Sequence, residues 1–224
     1  MTEFRDSLPD GYTDLIRVAA AEQKRKRVEA DWTAPALETV AAAITDAAPD
    51  TPAQLQVVIL EELEVVQAKL RGSDVDWYRD FLKNGVPRVE DDCRDTILKM
   101  LRPLPFDIAA APEGHLGDDK RCDIICTLGD TMVPIEVKGQ WHPELWSGAD
   151  RQLDRLYVND WRAERGIYLI LWFGYAVSKK PTRPPPGIPA PQTSRELYAA
   201  LQARSTTTRE GRTEVVVLDM TRPN

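Results

Sequence analysis

Cysteine is scarce in this chain: Cys93, Cys122 and Cys126 are the only three among 224 residues. A small, odd number argues against a disulfide scaffold and fits a reducing compartment. Long apolar runs are missing as well. No stretch approaches the roughly 20 residues that a membrane-spanning helix needs, and the first residues lack the apolar core of a secretory signal. The expectation is a cytoplasmic protein with no membrane partner. Positive charge is also short: the net charge is −7, which points away from a protein coated with nucleic acid, although a global sum can hide a local basic face. No C-x₂-C pair exists to nucleate a zinc site. His115, Cys122, Cys126 and His142 are irregularly spaced, and thiols on an apolar strand read as buried packing. What remains is a core-forming composition, 42% hydrophobic and 29% charged, long enough for one large domain or a domain with an appendage.

The first 84 residues read as helical. Residues 10–32 are rich in Ala, Glu, Lys and Arg, and residues 36–48 lie between Pro35 and Pro49. A third helix has Thr51 as N-cap, Pro52 at the first helical position and Gly72 at its close. Leu55, Val58, Ile59, Glu62, Val65, Val66 and Leu70 fall mostly on one face of it. The basic run at 24–27 is a solvated helix face or a nucleic-acid contact. Asn84-Gly85 marks a turn, and a helix is expected from near Pro87 to before Pro103, with Glu90, Asp91 and Asp92 in its first turns, where acids suit the helix dipole. A domain boundary is drawn at 84/85.

Beyond Pro105 the texture changes. Residues 122–128 and 131–139, separated by Gly129-Asp130, read as a β-hairpin. Residues 143–165 read as one helix. The run 166–174, apolar and bounded by glycines, reads as a strand buried on both faces. The proline-dense segment 179–192 is an extended loop. A helix over 194–204 and a strand over 213–220 finish the chain. This order predicts an α/β domain with a mixed sheet flanked by helices. Residues 151–183 hold seven basic and three acidic side chains, a surplus of four that a solvated face or a phosphate contact would each produce.

One short stretch carries chemistry. In VPIEVKGQW, residues 133–141, a strand alternates its faces, so Val133, Ile135 and Val137 point to one side while Glu136 and Lys138 share the other. The hairpin can bring Asp123 beside them. Two carboxylates and a backbone carbonyl suit a hard divalent ion, and a lysine beside them suits an attacking water or the charge of a phosphoryl transition state. Glu90 is in a position to add a third carboxylate from the helix. Each residue also has a plainer reading. Glu136 and Lys138 could be a buried ion pair or a surface cross-strand pair, and Glu90 could be dipole decoration, with Asp91 or Asp92 the helix acid instead. His142 could touch a phosphate or simply pack and cap.

Asp123, twelve intervening residues, then Glu136-Val137-Lys138 resembles the PD-(D/E)xK nuclease superfamily, whose fold is called restriction-endonuclease-like. VEDDCRD, CDIICTLGDTMVPIEVK, RQLDRLY and GIYLILWFG follow in the order of that family's elements, over about residues 85–220. The resemblance implies a Mg²⁺- or Mn²⁺-dependent nuclease, with DNA favoured over RNA as the nucleic-acid partner. Asp123, Glu136, Glu90 and the Val137 carbonyl would hold the metal, and Lys138 would be the catalytic lysine. Gln152 is similar to the glutamine of the QLxxY helix of RecB-type nucleases. Tyr157 falls one residue late for that motif, and Cys122 stands where proline is usual. A further expectation is an activating protein partner or homodimer in a defence system against foreign DNA. The alternative is a nuclease-like fold kept as a binding or assembly module.

Overall fold

The structure, a computed structural model, describes residues 48–72, 75–116, 120–153 and 164–221, with backbone alone at 114–116, 120, 152 and 153. All belong to the compact unit spanning residues 42–224. The helices expected over 10–32 and 36–48, with the basic run at 24–27, lie outside the described residues.

Helix α1, Pro52–Gly72, starts as its sequence dictates. Thr51 Oγ1 accepts from the Gln54 amide and Gln54 Oε1 accepts from the amide of Thr51, a reciprocal capping box that satisfies donors the first turn cannot. Its buried side is Leu55, Gln56, Ile59, Leu63, Val66 and Leu70. Val65 is 44% exposed, so the apolar stripe runs through Leu63 rather than through Val65 and Glu62. Gln56 is buried because its Nε2 donates to the Gly166 carbonyl at 2.8 Å, stitching the helix to the sheet.

A small hairpin follows. Strands β1, Leu82–Lys83, and β2, Val86–Pro87, pair antiparallel across Asn84-Gly85. Both turn residues have positive φ, 54° and 77°, the conformation that favours Asn-Gly in two-residue hairpins. Helix α2 then runs Glu90–Met100.

The centre of the molecule is a five-stranded mixed sheet of order β3-β4-β5-β6-β7. Its strands are β3 (Ala109–Leu116), β4 (Lys120–Leu128), β5 (Thr131–Gly139), β6 (Gly166–Trp172) and β7 (Thr213–Asp219). Strand β4 is antiparallel to both β3 and β5, and β5, β6 and β7 run parallel. One face, with Ile124, Val133, Ile135, Val137, Ile167 and Leu169, shares a core with α1 and α2. The opposite face, with Met132, Tyr168, Ile170 and Trp172, packs on Leu145, Trp146 and helix α3, Ser194–Arg204. Helix α4, Thr206–Arg209, leads into β7. The fold is therefore α/β, with a mixed sheet flanked by helices, and α1 contributes to the same core as the strands.

Two expectations are corrected. Strand β3 went unread because AAAPEGHL contains a proline and a glycine; as a sheet edge it tolerates both. The single helix expected over 143–165 instead begins as turns over 143–147 and becomes a π-helix over Ala149–Leu153. The Tyr168 hydroxyl reaches this segment and donates to the Leu145 carbonyl at 3.1 Å. A Cβ on Gly148 would lie 2.4 Å from that hydroxyl, so the close approach needs glycine.

Candidate active site

Strand β5 is paired differently at its two ends. From Thr131 to Ile135 every residue faces a partner on β4, the last pair being Ile124↔Ile135. Beyond it β4 leaves. On its other side β5 stays paired with β6 through Gly139↔Leu171. The amide of Gln140 donates to Leu171 on β6, so by alternation the amides of Val137 and Gly139 point the opposite way, into the edge that β4 has vacated.

Two acids take those amides. Asp123 Oδ2 accepts from Val137 N at 2.7 Å, and Glu90 Oε1 accepts from Gly139 N at 2.8 Å. The Val137 carbonyl faces this same edge, because N–H and C=O of one strand residue point to the same neighbour. The sequence-predicted Asp123, Glu90 and Val137 are thus brought to one edge by backbone geometry, and it is Glu90 rather than Asp91 or Asp92 that reaches it. Asp91 instead pairs with Arg94, and Asp92 lies 3.7 Å from Arg88.

The backbone is distorted where Asp123 sits. Across β3 its opposite number is Glu113, with φ 51°. The pairs on either side, Pro112↔Ile124 and Gly114↔Cys122, are intact. A non-glycine residue in that region is held there by its surroundings. Here Glu113 lies 3.6 Å from Arg94 and 3.8 Å from Arg121.

Glu136 and Lys138 share a face of β5, as the alternation requires, but it is no surface face. Each is 6% exposed, so the exposed cross-strand pair is ruled out. Lys138 Nζ lies 2.5 Å from Glu136 Oε1 and 3.7 Å from Asp123 Oδ2. Burial, and then the charge of Asp123, push the Glu136 carboxyl up to about 7, against the pull of Lys138. Burial would lower the Lys138 ammonium, but Glu136 and Asp123 outweigh it and raise it. The site therefore carries more negative charge than its one lysine offsets.

The surroundings hold further polar residues, of which Arg94 and Gln140 were passed over in the sequence. Arg94, one turn beyond Glu90, is buried and bonded to Asp91 and Asp95; its i+4 spacing from Glu90 was the available signal. Gln140 continues the Glu136, Lys138 alternation and is fully buried. Its Nε2 donates to the carbonyls of Gly174 and Lys179, and its Oε1 accepts from Phe173 N, all at 2.8 Å. His142 Nδ1 accepts from the Glu144 amide, which leaves Nε2 facing Glu90 Oε2 at 3.9 Å. Lys179 Nζ donates to the Arg88 carbonyl and lies 4.2 Å over the Trp141 ring. Cys122 is a buried thiol whose Sγ donates to the Ile124 carbonyl at 3.3 Å; burial first, and then the charge of Glu136, push it up to about 12. Gln152 lies on the π-helix, and its side chain, like Tyr157, is outside the described residues. Among the described residues no helix is long and apolar enough to cross a membrane.

As the acids stand, each has an internal partner, and among the described residues no three His, Cys, Asp or Glu side chains converge as a ready metal cage. The donors themselves are hard oxygens, Glu136 buried and Asp123 and Glu90 half-buried. Such a set fits a small divalent cation better than a soft metal.

The fold and this edge define an α/β protein with a buried acid–lysine centre. Residues 57–175 match the family described as Domain of unknown function (DUF8371), over half of the 224 residues, and the chain belongs to that family. The matched stretch contains Glu90, Asp123, Glu136, Lys138 and Gln140. No curated protein and no solved structure matches the chain.

Proposed function

We propose that this chain is a metal-dependent nuclease of the PD-(D/E)xK type, with the restriction-endonuclease-like fold, acting on DNA by preference. One observation carries the reading: Glu136 and Lys138 are buried together beside Asp123, along a sheet edge whose amides are capped by Asp123 and Glu90. Buried charge is costly and a well-packed apolar pair would serve stability as well or better, so a charge cluster here asks for a chemical use.

Asp123, Glu136, Glu90 and the Val137 carbonyl are the groups that would hold Mg²⁺ or Mn²⁺. Such an ion would supply Lewis acidity toward the phosphoryl group and the attacking water. Lys138, kept charged by its two carboxylates, donates to the attacking water or to a phosphoryl oxygen as negative charge grows there. The Val137 and Gly139 amides fix Asp123 and Glu90, so two of the carboxylates are oriented in advance. The −7 net charge gives weak unaided attraction to a polyanion, which favours recruitment or switching by a protein partner or by dimerisation, as in defence against foreign DNA.

A second reading has its own observation. Because every acid already has an internal partner, the same residues also suit a nuclease-like fold retained for binding or assembly. Cleavage assays with Mg²⁺ or Mn²⁺ on supercoiled plasmid, single-stranded DNA and RNA separate the readings. Metal-dependent cutting that disappears in Asp123→Asn and Lys138→Met supports the nuclease. Wild-type-like cutting by either variant overturns the assignment of these residues.

A further inference from the structure

We propose that the aromatic cleft at the carboxyl ends of β6 and β7 seats an unpaired nucleobase, which makes single-stranded nucleic acid the substrate class of the neighbouring site. This rests on the nuclease reading above. The cleft has a volume of about 500 Å³, and Tyr78, Leu82, Trp172, Phe173, Tyr175 and Val177 are among its lining residues. That volume lies within the roughly 300–1,000 Å³ of small-ligand pockets. Carboxyl ends of parallel strands are where open α/β sheets commonly take ligands.

Tyr175 is the residue that decides the occupant. It is 40% exposed, yet its ring is fixed at two points. Its hydroxyl donates to the Pro191 carbonyl at 3.0 Å, and its ring meets Trp172 edge-on at 5.9 Å and 82°. An exposed ring already held in one orientation loses little freedom when a flat ligand stacks on it. Gly174, with φ 68°, makes the turn that delivers it, and a Cβ there would crowd Thr221 at 3.2 Å. Gln192 and Thr221 add polar edges to the lining, which a base can use and a purely aliphatic ligand cannot.

Charge and connectivity favour a nucleic acid over an apolar peptide. The loop leaving the cleft carries Lys179, Lys180 and Arg183, and Lys180 Nζ donates to the carbonyl of Tyr175 itself at 2.5 Å. The wall of the cleft is also tied to the acid–lysine edge. Gln140, two residues beyond Lys138, holds Phe173 and Gly174 through its side-chain amide. Base stacking tolerates any sequence because every base has a π-face.

The test is fluorescence anisotropy of the full chain with a short fluorescein-labelled single strand of DNA, and with the blunt duplex of the same sequence, in EDTA. Wild type is expected to bind the single strand more tightly than the duplex. Tyr175→Ala is expected to weaken single-strand binding about tenfold, while Tyr175→Phe, which keeps the stacking face, retains most of it. Equal binding by wild type and Tyr175→Ala overturns the proposal, as does no binding of the single strand by wild type. Uptake of an apolar dye by the cleft without oligonucleotide binding marks a protein-docking groove, and overturns it too. Metal-dependent cleavage at the wild-type rate in Tyr175→Ala removes the cleft and leaves the nuclease reading. Tyr175-dependent binding with neither cleavage nor Mn²⁺-dependent thermal stabilisation of wild type removes the nuclease reading and leaves the cleft.

Discussion

The two ends of β5 are built from one strand and do different work. At the hairpin end, Val133 and Ile135 are fully buried and paired with β4, and their polar groups are consumed by the ladder. At the carboxyl end, β4 is gone and side-chain carboxylates stand in for it at the Val137 and Gly139 amides. The first end contributes stability through apolar burial and ladder bonds. The second concentrates charge in a dry setting, which stability alone would select against. Where a sheet stops pairing, it exposes backbone donors and acceptors that a site can be built around.

The largest effect should come from removing the charges at the carboxyl end. The double change Glu136→Gln with Lys138→Met is expected to lower metal-dependent cleavage at least about a hundredfold while leaving unfolding free energy equal to or above wild type, because neither charge is left alone. Lys138→Met by itself leaves Glu136 buried without its partner and should cost about 3–5 kcal/mol at pH 8. Urea denaturation compares the three proteins. Equal stability of single and double variants would break the contrast between the two ends. At the hairpin end, Ile135→Val is expected to cost about 0.5–1.5 kcal/mol with cleavage retained under conditions where the protein stays folded.

Acidity should divide the molecule in the same way. The folded-state Glu136 carboxyl is raised from its ordinary 4.5 to about 7, so between those values the folded protein binds more protons than the unfolded chain. Its stability penalty is full above pH 7 and relieved as pH falls toward 4.5. The metal-free protein should therefore melt a few degrees higher near pH 5.5 than near pH 8, and Glu136→Gln should flatten that difference. Asp219 at the end of β7 behaves oppositely. Burial pushes it up, but hydrogen bonds from Thr221 and Ser194, with Arg71 nearby, hold it below its ordinary 3.8. Its contribution is present above that value and lost as pH falls through the folded-state pKa. Melting in EDTA from pH 8 down to about pH 3, on wild type, Glu136→Gln and Asp219→Asn, checks both signs.

The smallest effect concerns the frame. Thr51→Ala removes the oxygen that caps Gln54 N and should cost about 1 kcal/mol with no change in cleavage. A cleavage defect in this variant would mean that α1 acts on the site rather than only supporting the sheet.

Much of this arrangement was legible in the chain. Pro52 and Gly72 bound α1, Gly129-Asp130 joins β4 to β5, and the apolar run of β6 announces a strand buried on both faces. Period-two alternation put Glu136 and Lys138 together. The vacated edge was not legible, because it depends on where β4 stops pairing with β5, which leaves no local signal. Whether Glu136 and Lys138 are a buried or a surface pair was left open for a related reason. Alternation says that two residues share a face, but here both faces are covered, one by α1 and α2 and the other by α3 and Leu145. Strand β3 escaped because Pro112 and Gly114 read as loop punctuation and only edge position makes them acceptable.

The most direct test of the central claim is an anomalous difference map from crystals of the full chain soaked in Mn²⁺. A strong peak is expected within coordination reach of the Asp123 and Glu136 carboxylates and the Val137 carbonyl, lost in Asp123→Asn. A map with no peak at that edge, or with its peaks only elsewhere on the molecule, would contradict it.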